Sequence, residues 1–286
     1  MKKILGSLLA FALVLALAAC GTSEKKSEQK SEGTNGDKTA ETTKLVVGAS
    51  PVPHAEILEK AKPILKEKGI DLEIKTFTDY VFPNKALASK ELDANYFQHI
   101  PYLNSQIKEF GYDFVNAGGI HIEPIGIYSK KYKKLSDLPK GAHLIMSNSV
   151  ADHGRLLSLL EKEGLIKLKD GIDKTKAEIK DVVENPKNLK FDANYEAKLL
   201  PQIFNNGEGD AVLINSNYAI DAGLNPVKDS IAIEDKESPY VNIIAVRKGD
   251  ENKPAIKALV EVLQSKEIQD FILEKYKGAV VPAPTK

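Results

Sequence analysis

The chain has 286 residues, and its 40 lysines and arginines are balanced by 40 aspartates and glutamates, so the formal net charge is zero. Because there is no basic excess, the composition argues against nucleic-acid binding. Cys20 is the only cysteine, which excludes internal disulfides, thiolate zinc sites and a cysteine nucleophile in the body of the protein.

The first segment is typical of an export signal. A basic start, MKK, precedes an apolar run over residues 4–19, which is shorter than the roughly 20 residues that a membrane-spanning helix needs. The run ends in small residues before Cys20, with Leu17 three positions upstream, and this arrangement resembles the lipobox of bacterial lipoproteins. The alternative is a plain secretory signal followed by a chance cysteine. We predict a lipoprotein signal peptide over residues 1–19 and a lipid anchor on Cys20.

Residues 21–43 contain mostly Gly, Ser, Thr, Lys and Glu. A segment with so few apolar side chains cannot bury enough surface to offset the entropy of ordering. Residues 20–43 are therefore predicted to be the lipidated cysteine and a flexible tether. About 240 residues remain, which is enough for two lobes of ordinary domain size.

The body of the chain alternates between predicted strands and helices. In order, the elements are strand 44–50, helix 54–70, strand 71–77, helix 84–92, strand 94–98, a helix with Pro101 in its first turn, and an interrupted extended run 114–129. They continue with strand 142–148, helix 155–164, strand 210–216, extended segment 240–249 and helix 256–276. This alternation predicts an α/β fold with mostly parallel sheets. The interrupted run and segment 240–249 predict two crossings, with lobe 1 over 44–122 and 243–286 and lobe 2 over 123–242.

Aromatic and polar side chains cluster at one predicted strand end, in DANYFQHIPYL (93–103). In open α/β sheets, ligands bind beyond the carboxyl ends of the strands. Phe97, His99 and Tyr102 can wall an apolar pocket with polar edges there, and Tyr80 in the preceding turn can join them. The alternative is that the rings belong to the core and that His99 caps the following helix.

Three further polar residues stand at predicted element ends. Arg155 lies in the first turn of a helix after Asp152, which is expected at the N-cap, and a cation there favours an anionic ligand nearby. The alternative is a surface arginine that pairs with a neighbouring carboxylate. Asn215 and Asn242 are predicted to finish apolar strands, where an amide can bind both ends of an amino acid, although asparagine is also a common turn residue.

Metal binding and catalysis find little support in the sequence. His121 and Glu123 are predicted to face one side of a strand, but nothing else at ligand spacing accompanies them, so no metal site is predicted. The G-x-S-x-G, P-loop, G-x-G-x-x-G and H-E-x-x-H motifs are all missing from the sequence. The pattern therefore favours binding over catalysis.

Seven segments carry a family resemblance that extends over the whole body of the chain. They are FTDYVFPNKAL, DANYFQHIPYL, HIEPIGIYSKKYKKLSDLP, GRLLSLLEKEGLIKLKDG, DVVENPKNLKF, INSNYA and ESPYVNIIAVRKG. In composition and order they resemble the methionine-binding lipoproteins of ABC importers, the MetQ/NlpA lipoprotein family. One segment departs: SNSVADHGR (147–155) stands where many members carry a proline-rich run before Gly-Arg, and Asp152 replaces a common asparagine.

The resemblance implies a fold of the periplasmic-binding-protein type II kind, with two Rossmann-like lobes that hinge and close over one free amino acid. It also implies a ligand-binding set: Tyr80, Phe97, His99 and Tyr102 around the thioether, Arg155 on the α-carboxylate, and Asn215 and Asn242 on the head group. The implied protein is a monomer without cofactor or metal, lipid-anchored at the outer face of the cytoplasmic membrane. It would deliver L-methionine to an importer permease and its cytoplasmic ATPase, without a chemical step of its own. Another small amino acid, a dipeptide or a metal ion is the alternative ligand.

Overall fold

The computed structural model describes residues 42–284, so the predicted signal peptide, Cys20 and almost all of the tether lie outside the described residues. The strands are β1 (Thr43–Ala49), β2 (Ile70–Thr76), β3 (Ala94–His99), β4 (Phe114–Ile122), β5 (Gly126–Tyr128), β6 (His143–Ser147), β7 (Lys167–Leu168), β8 (Val182–Glu184), β9 (Lys190–Tyr195), β10 (Ala211–Ile214), β11 (Ala232–Ile233), β12 (Val241–Arg247) and β13 (Val281–Pro282). The helices are α1 (Glu56–Glu67), α2 (Phe82–Ala88), α3 (Ile100–Phe110), α4 (Val150–Lys162), α5 (Leu200–Asn205), α6 (Ser216–Asp221), α7 (Pro226–Asp229), α8 (Pro254–Leu263) and α9 (Lys266–Tyr276).

Two sheets organise these elements. The larger has the order β13-β4-β12-β3-β1-β2 and the smaller has the order β11-β5-β10-β6-β9, while β7 and β8 pair separately. The prediction of mostly parallel sheets is wrong. In the larger sheet β12 runs antiparallel to both β3 and β4, and β13 is antiparallel to β4. In the smaller sheet β5 runs antiparallel to both β10 and β11, while β6 is parallel to β10 and β9. The chain returns from the smaller sheet into β12 at the end where β3 finishes, so Asn242 pairs with His99.

Helices cover both faces of each sheet, and four groups of buried side chains result. In the larger sheet, Val47 packs with α1, α8 and α9 on one face, and Ile243 packs with α2 and α3 on the other. In the smaller sheet, Leu213 packs towards α4 and Ile214 packs towards α5 and α6. Strands buried on both faces read as nearly continuous apolar runs, which is why the sequence pattern located them.

Two predicted helices differ from those observed. The segment 256–276 forms two helices, because Ser265 has an extended backbone (φ −65°, ψ 152°) that ends α8. The break lets α8 pack on β4 while α9 reaches β13. The helix predicted at 155–164 begins earlier, at Val150, with Ser149 at its N-cap. Asp152 is therefore inside the first turn of α4 and does not cap it.

Candidate functional site

A small cavity of about 20 Å³ lies at the end of β3, between the larger and the smaller sheet. That volume is close to the minimum of roughly 10–15 Å³ that a single water molecule requires. Its lining contains all the residues predicted from the sequence and four others: Tyr80, Phe97, Gln98, His99, Tyr102, Glu123, Asp152, Arg155, Asn215, Asn217 and Asn242. The larger-sheet part of the chain supplies an aromatic wall, and the smaller-sheet part supplies most of the charged groups.

The aromatic wall consists of three rings in edge-to-face or tilted contact. The ring centroids of Tyr80, Phe97 and Tyr102 lie 5.9–6.0 Å from one another. The Tyr102 hydroxyl donates to the Tyr80 carbonyl at 3.0 Å, and the Tyr80 hydroxyl donates to Asn217 Oδ1 at 2.6 Å. Burial raises the pKa of both phenols, so the wall is uncharged at neutral pH. It therefore presents apolar ring faces with their polar atoms already bonded.

His99 does two things at once, and one of them is the capping role left open by the sequence. Its Nδ1 accepts the backbone N–H of Tyr102 at 3.1 Å, which caps α3. Because Nδ1 accepts, the ring proton lies on Nε2 and is donated to Asp152 Oδ1 at 3.0 Å. His99 thus joins the end of β3 to the first turn of α4 across the cavity.

Arg155 and Asp152 form a buried ion pair on α4. The Arg155 Nε lies 3.0 Å and Nη2 lies 2.7 Å from Asp152 Oδ1, and the side chain of Arg155 is only 4% exposed. Burial opposes ionisation of Asp152, but the Arg155 guanidinium and the donors from His99 and Asn215 hold the pKa of this carboxyl below its usual range. The sequence alternative of an arginine paired with a neighbouring carboxylate is thus realised, but inside the protein.

The glycine before Arg155 has a steric reason. A Cβ at Gly154 would overlap the backbone carbonyl of Lys174, which packs directly against α4. The close approach seats the first turn of α4 deep in the protein and places Arg155 at the cavity.

The two asparagines reach the cavity by different routes. Asn215 follows β10, as predicted, and its Nδ2 donates to Asp152 Oδ2 at 3.1 Å. Asn242 stands near the start of β12, so the prediction that it finishes a strand is wrong. It reaches the same place because β12 is antiparallel to β3. Within the described residues, the buried Asn215 Oδ1 has no hydrogen-bond partner, so it can accept a bond from a ligand.

The sequence suggests Glu123 only as a metal ligand, whereas the structure places it in the cavity lining. It follows β4 at the crossing between the two sheets and is 6% exposed. Its Oε1 lies 2.8 Å from His121 Nε2 and 3.2 Å from His54 Nε2. Burial raises the pKa of Glu123, against the opposing attraction of His54 and Arg155. The sequence around His54 carries no signal of its contact with Glu123, so only the fold reveals this contact.

Asn217 and Gln98 are the other lining residues that sequence reasoning did not place in a site. Asn217 is the second residue of α6 and accepts from Tyr80. Gln98 uses its amide in a buried network, accepting from Asn84 Nδ2 at 3.1 Å and donating to Asn95 Oδ1 at 2.9 Å. The polar crowding noticed at the end of β3 therefore has two destinations, the cavity and this structural amide network.

The fold and the site together define the periplasmic-binding-protein class, in which an α/β protein encloses a small ligand between two sheets. The family described as NlpA lipoprotein matches residues 45–284. The chain belongs to this family of lipoproteins.

Individual relatives agree with the family over nearly the full chain. "Methionine-binding lipoprotein MetQ" of Bacillus subtilis (strain 168) is 52% identical over 287 residues, covering 99% of each chain. "D-methionine-binding lipoprotein MetQ" of Salmonella typhi is 41% identical over 268 residues, covering 93% of each. The solved structure of a nutrient binding protein from Burkholderia cenocepacia bound to methionine superposes with a TM-score of 0.79 at 44% identity, covering 84% of this chain and 100% of that one. Across residues 42–284, no helix has the length and apolar character needed to cross a bilayer.

Proposed function

We propose that this protein is a lipid-anchored receptor outside the cytoplasm that captures L-methionine and delivers it to an ABC importer. The proposal includes a lipid on Cys20, residence at the outer face of the cytoplasmic membrane, action as a monomer, and no chemical step. The names and the methionine complex of the relatives support the ligand and the importer as partners.

The observation that carries the proposal is the polarity of the cavity. One side consists of aromatic rings without charge, and the other carries a buried guanidinium and two carboxylates. A ligand that fits both sides has a short apolar tail and a zwitterionic head. Sulfur against aromatic rings is favourable by roughly 0.3–1.5 kcal/mol per contact, so a thioether suits this wall.

We assign the tail of the ligand to Tyr80, Phe97, His99 and Tyr102. The carboxylate of the ligand is assigned to Arg155. Two of the five guanidinium N–H groups point to Asp152, and Nη1 makes longer contacts of 3.4 Å to the Glu123 carbonyl and 3.5 Å to Glu234. The second N–H of Nη2 and the weakly bonded Nη1 are therefore the donors for a second carboxylate. The amino group is assigned to Glu123 and to the free acceptor Asn215 Oδ1, with Asn242 completing the head-group contacts.

Ligand entry requires the two sides of the cavity to separate, since a volume of about 20 Å³ cannot admit an amino acid. Two crossings connect the sheets, one at Glu123–Ile125 and the other before β12 at Val241. We propose that they act as a hinge between two lobes, which is a common mode of closure around a small ligand. The bonds from His99 to Asp152 and from Tyr80 to Asn217 would then form on closure.

A metal ion is the second candidate ligand because His54, His121 and Glu123 are grouped. One ligand atom from each lies within 4.8 Å of the others, and all three residues are buried. However, the Nε2 atoms of both histidines already contact Glu123 Oε1, so only His54 Nδ1 lacks a partner within the described residues, and three ligands are fewer than a structural zinc site uses. Methionine is therefore favoured.

Calorimetric titration tests the proposal. The full chain, purified in detergent, is unfolded and refolded to remove any amino acid carried through purification, and L-methionine is then added. We expect one-to-one binding, with weaker binding of D-methionine and of alanine. If correctly refolded protein gives no heat with L-methionine but gives heat with Zn²⁺ or Mn²⁺, the ligand is a metal ion and not methionine.

A further inference from the structure

The aromatic and histidine cluster behind Glu123 is not needed to line the cavity, yet it is buried and hydrogen-bonded except at His54 Nδ1, which has no partner within the described residues. Tyr96 on β3 and His121 on β4 are both completely buried, and His54 is 1% exposed in the turn before α1. Their rings meet edge to face, with centroids 4.7–5.3 Å apart. Burying so many polar atoms is unfavourable unless they bond to one another.

The hydrogen bonds of the cluster run in one direction and end on Glu123. The Tyr96 hydroxyl bonds to His121 Nδ1, and His121 Nε2 lies 2.8 Å from Glu123 Oε1. A neutral His121 that accepts from Tyr96 at Nδ1 has its proton on Nε2, and it donates that proton to Glu123. The chain of donors is therefore Tyr96 to His121 to Glu123.

His54 bonds to Asn242 and lies close to the same oxygen of Glu123. Its Nε2 lies 3.0 Å from Asn242 Oδ1, which can only accept, so Nε2 carries the proton. The same Nε2 atom lies 3.2 Å from Glu123 Oε1. Both histidines approach Oε1, and within residues 42–284 no histidine hydrogen-bonds to Oε2. His54 also connects Glu123 at the first crossing with Asn242 at the second.

We infer that Tyr96, His121 and His54 are positioning residues for the amino group of the ligand: His121 donates to Glu123 Oε1, Tyr96 holds the His121 ring through Nδ1, and His54 lies beside the same oxygen, so that Glu123 stays a carboxylate that presents Oε2 to the cavity. This inference rests on the proposed function, because it assigns the ammonium of the ligand to Glu123. The N–H donor of His121, with the His54 N–H close by, favours the charged form of a buried carboxylate, which would otherwise hold a proton.

The cluster itself keeps one charge state over the range in which binding is measured. Burial lowers the pKa of His54 to about 4, against the attraction of Glu123. Burial also lowers the pKa of His121 to about 3. Both rings are therefore neutral donors at pH 5–8, and they do not compete with the ligand as cations.

The pH dependence of binding follows from Glu123. Burial raises its pKa in the free protein, and a bound ammonium lowers it. Affinity is therefore full above the free-protein pKa and is lost as the pH falls below it, by up to about tenfold per pH unit. The ionisable groups that face Glu123 from the surrounding elements are His54, His121, His99, Arg155, Asp152, Tyr80, Tyr96 and Tyr276.

The test measures the dissociation constant of L-methionine between pH 5 and 8 on the full chain in detergent. His121→Leu removes the donor to Oε1, and we expect the midpoint of the pH profile to move up by about one pH unit or more. Below that midpoint, the affinity should then be about tenfold weaker than that of the wild type. His121→Gln can place an amide N–H near the position of Nε2 and should restore most of the wild-type profile. Glu123→Gln should flatten it. His143→Leu is the matched control, because that histidine is half-exposed and pairs with Asp192 away from the cavity.

A folded His121→Leu protein with the wild-type profile would overturn the inference. If that variant does not fold, Tyr96→Phe decides, because it removes only the donor to His121 and should shift the midpoint in the same direction by a smaller amount. An unshifted Tyr96→Phe profile would equally overturn it. Infrared titration measures the same shift in the pKa of the Glu123 carboxyl without ligand. The carboxyl band is assigned by its loss in Glu123→Gln. Absence of methionine binding by wild-type protein would thus refute the proposed function while the infrared shift still supports or refutes the network.

Discussion

Replacing Arg155 by alanine separates two roles that the structure gives to one side chain. Arg155 is 5% exposed, donates to Asp152 through Nε and Nη2, and lies under the Tyr240 ring with its guanidinium carbon 4.9 Å from the ring centroid. It therefore stabilises the fold, and in the proposed function it also binds the carboxylate of the ligand. Arg155→Ala should weaken both.

The expected magnitudes follow from burial. Truncating one partner of a buried charge pair at a binding site costs about 2–5 kcal/mol, or roughly thirty- to several-thousand-fold in affinity. Removing one partner also leaves Asp152 as an uncompensated buried charge, which destabilises a fold by about 3–5 kcal/mol. Protonation of Asp152 would relieve part of this second loss.

A double variant distinguishes the two effects. In Arg155→Ala/Asp152→Asn the uncompensated charge is gone, so the free energy of unfolding should recover towards wild type while methionine affinity stays low. Calorimetry gives the affinity and denaturant titration gives the stability. Arg247→Ala is the matched control, because Arg247 is the only other arginine and pairs with Asp250 at 2.9 Å, outside the cavity lining. Recovery of affinity in the double variant would refute direct contact between Arg155 and the ligand.

Three further results are expected. In calorimetry, Tyr102→Ala should weaken the binding of L-methionine more than the binding of alanine, and equal losses for both ligands would argue against a thioether pocket. The control Tyr112→Ala, which removes a ring stacked on Phe114 at 4.7 Å, should change the affinity for neither ligand. Because the pKa of Asp152 is lower in the folded protein than in the unfolded chain, the unfolded chain takes up the proton first. Wild-type stability should therefore fall as the pH drops below about 4, and Asp152→Asn should flatten this part of the curve. Dialysis against EDTA should leave both methionine affinity and melting temperature unchanged, and a fall in either would favour a metal at Glu123.

The sequence by itself determined the elements and much of the candidate site. Apolar runs buried on both faces identified the main strands, and Pro101 identified the start of α3 because a proline needs no intrahelical donor in the first turn. The sequence also identified the aromatic side chains at the end of β3 and Arg155 near the start of α4 as candidates. This was possible because the neighbouring residues show where a strand ends or a helix begins. All seven residues named from the sequence line one cavity.

Only the tertiary structure decided how those residues are partnered. The antiparallel insertion of β12 beside β3 brings Asn242 to His99, and nothing in the local pattern of β12 encodes its neighbour. Asp152 meets His99 across 53 positions of sequence, and His54 meets Asn242 across 188. The charge state of Glu123 likewise depends on burial and on the attraction of His54 and Arg155, which lie far from it in sequence. Periodicity reports which face of an element is buried, whereas contacts between elements are set by the packing of the whole chain.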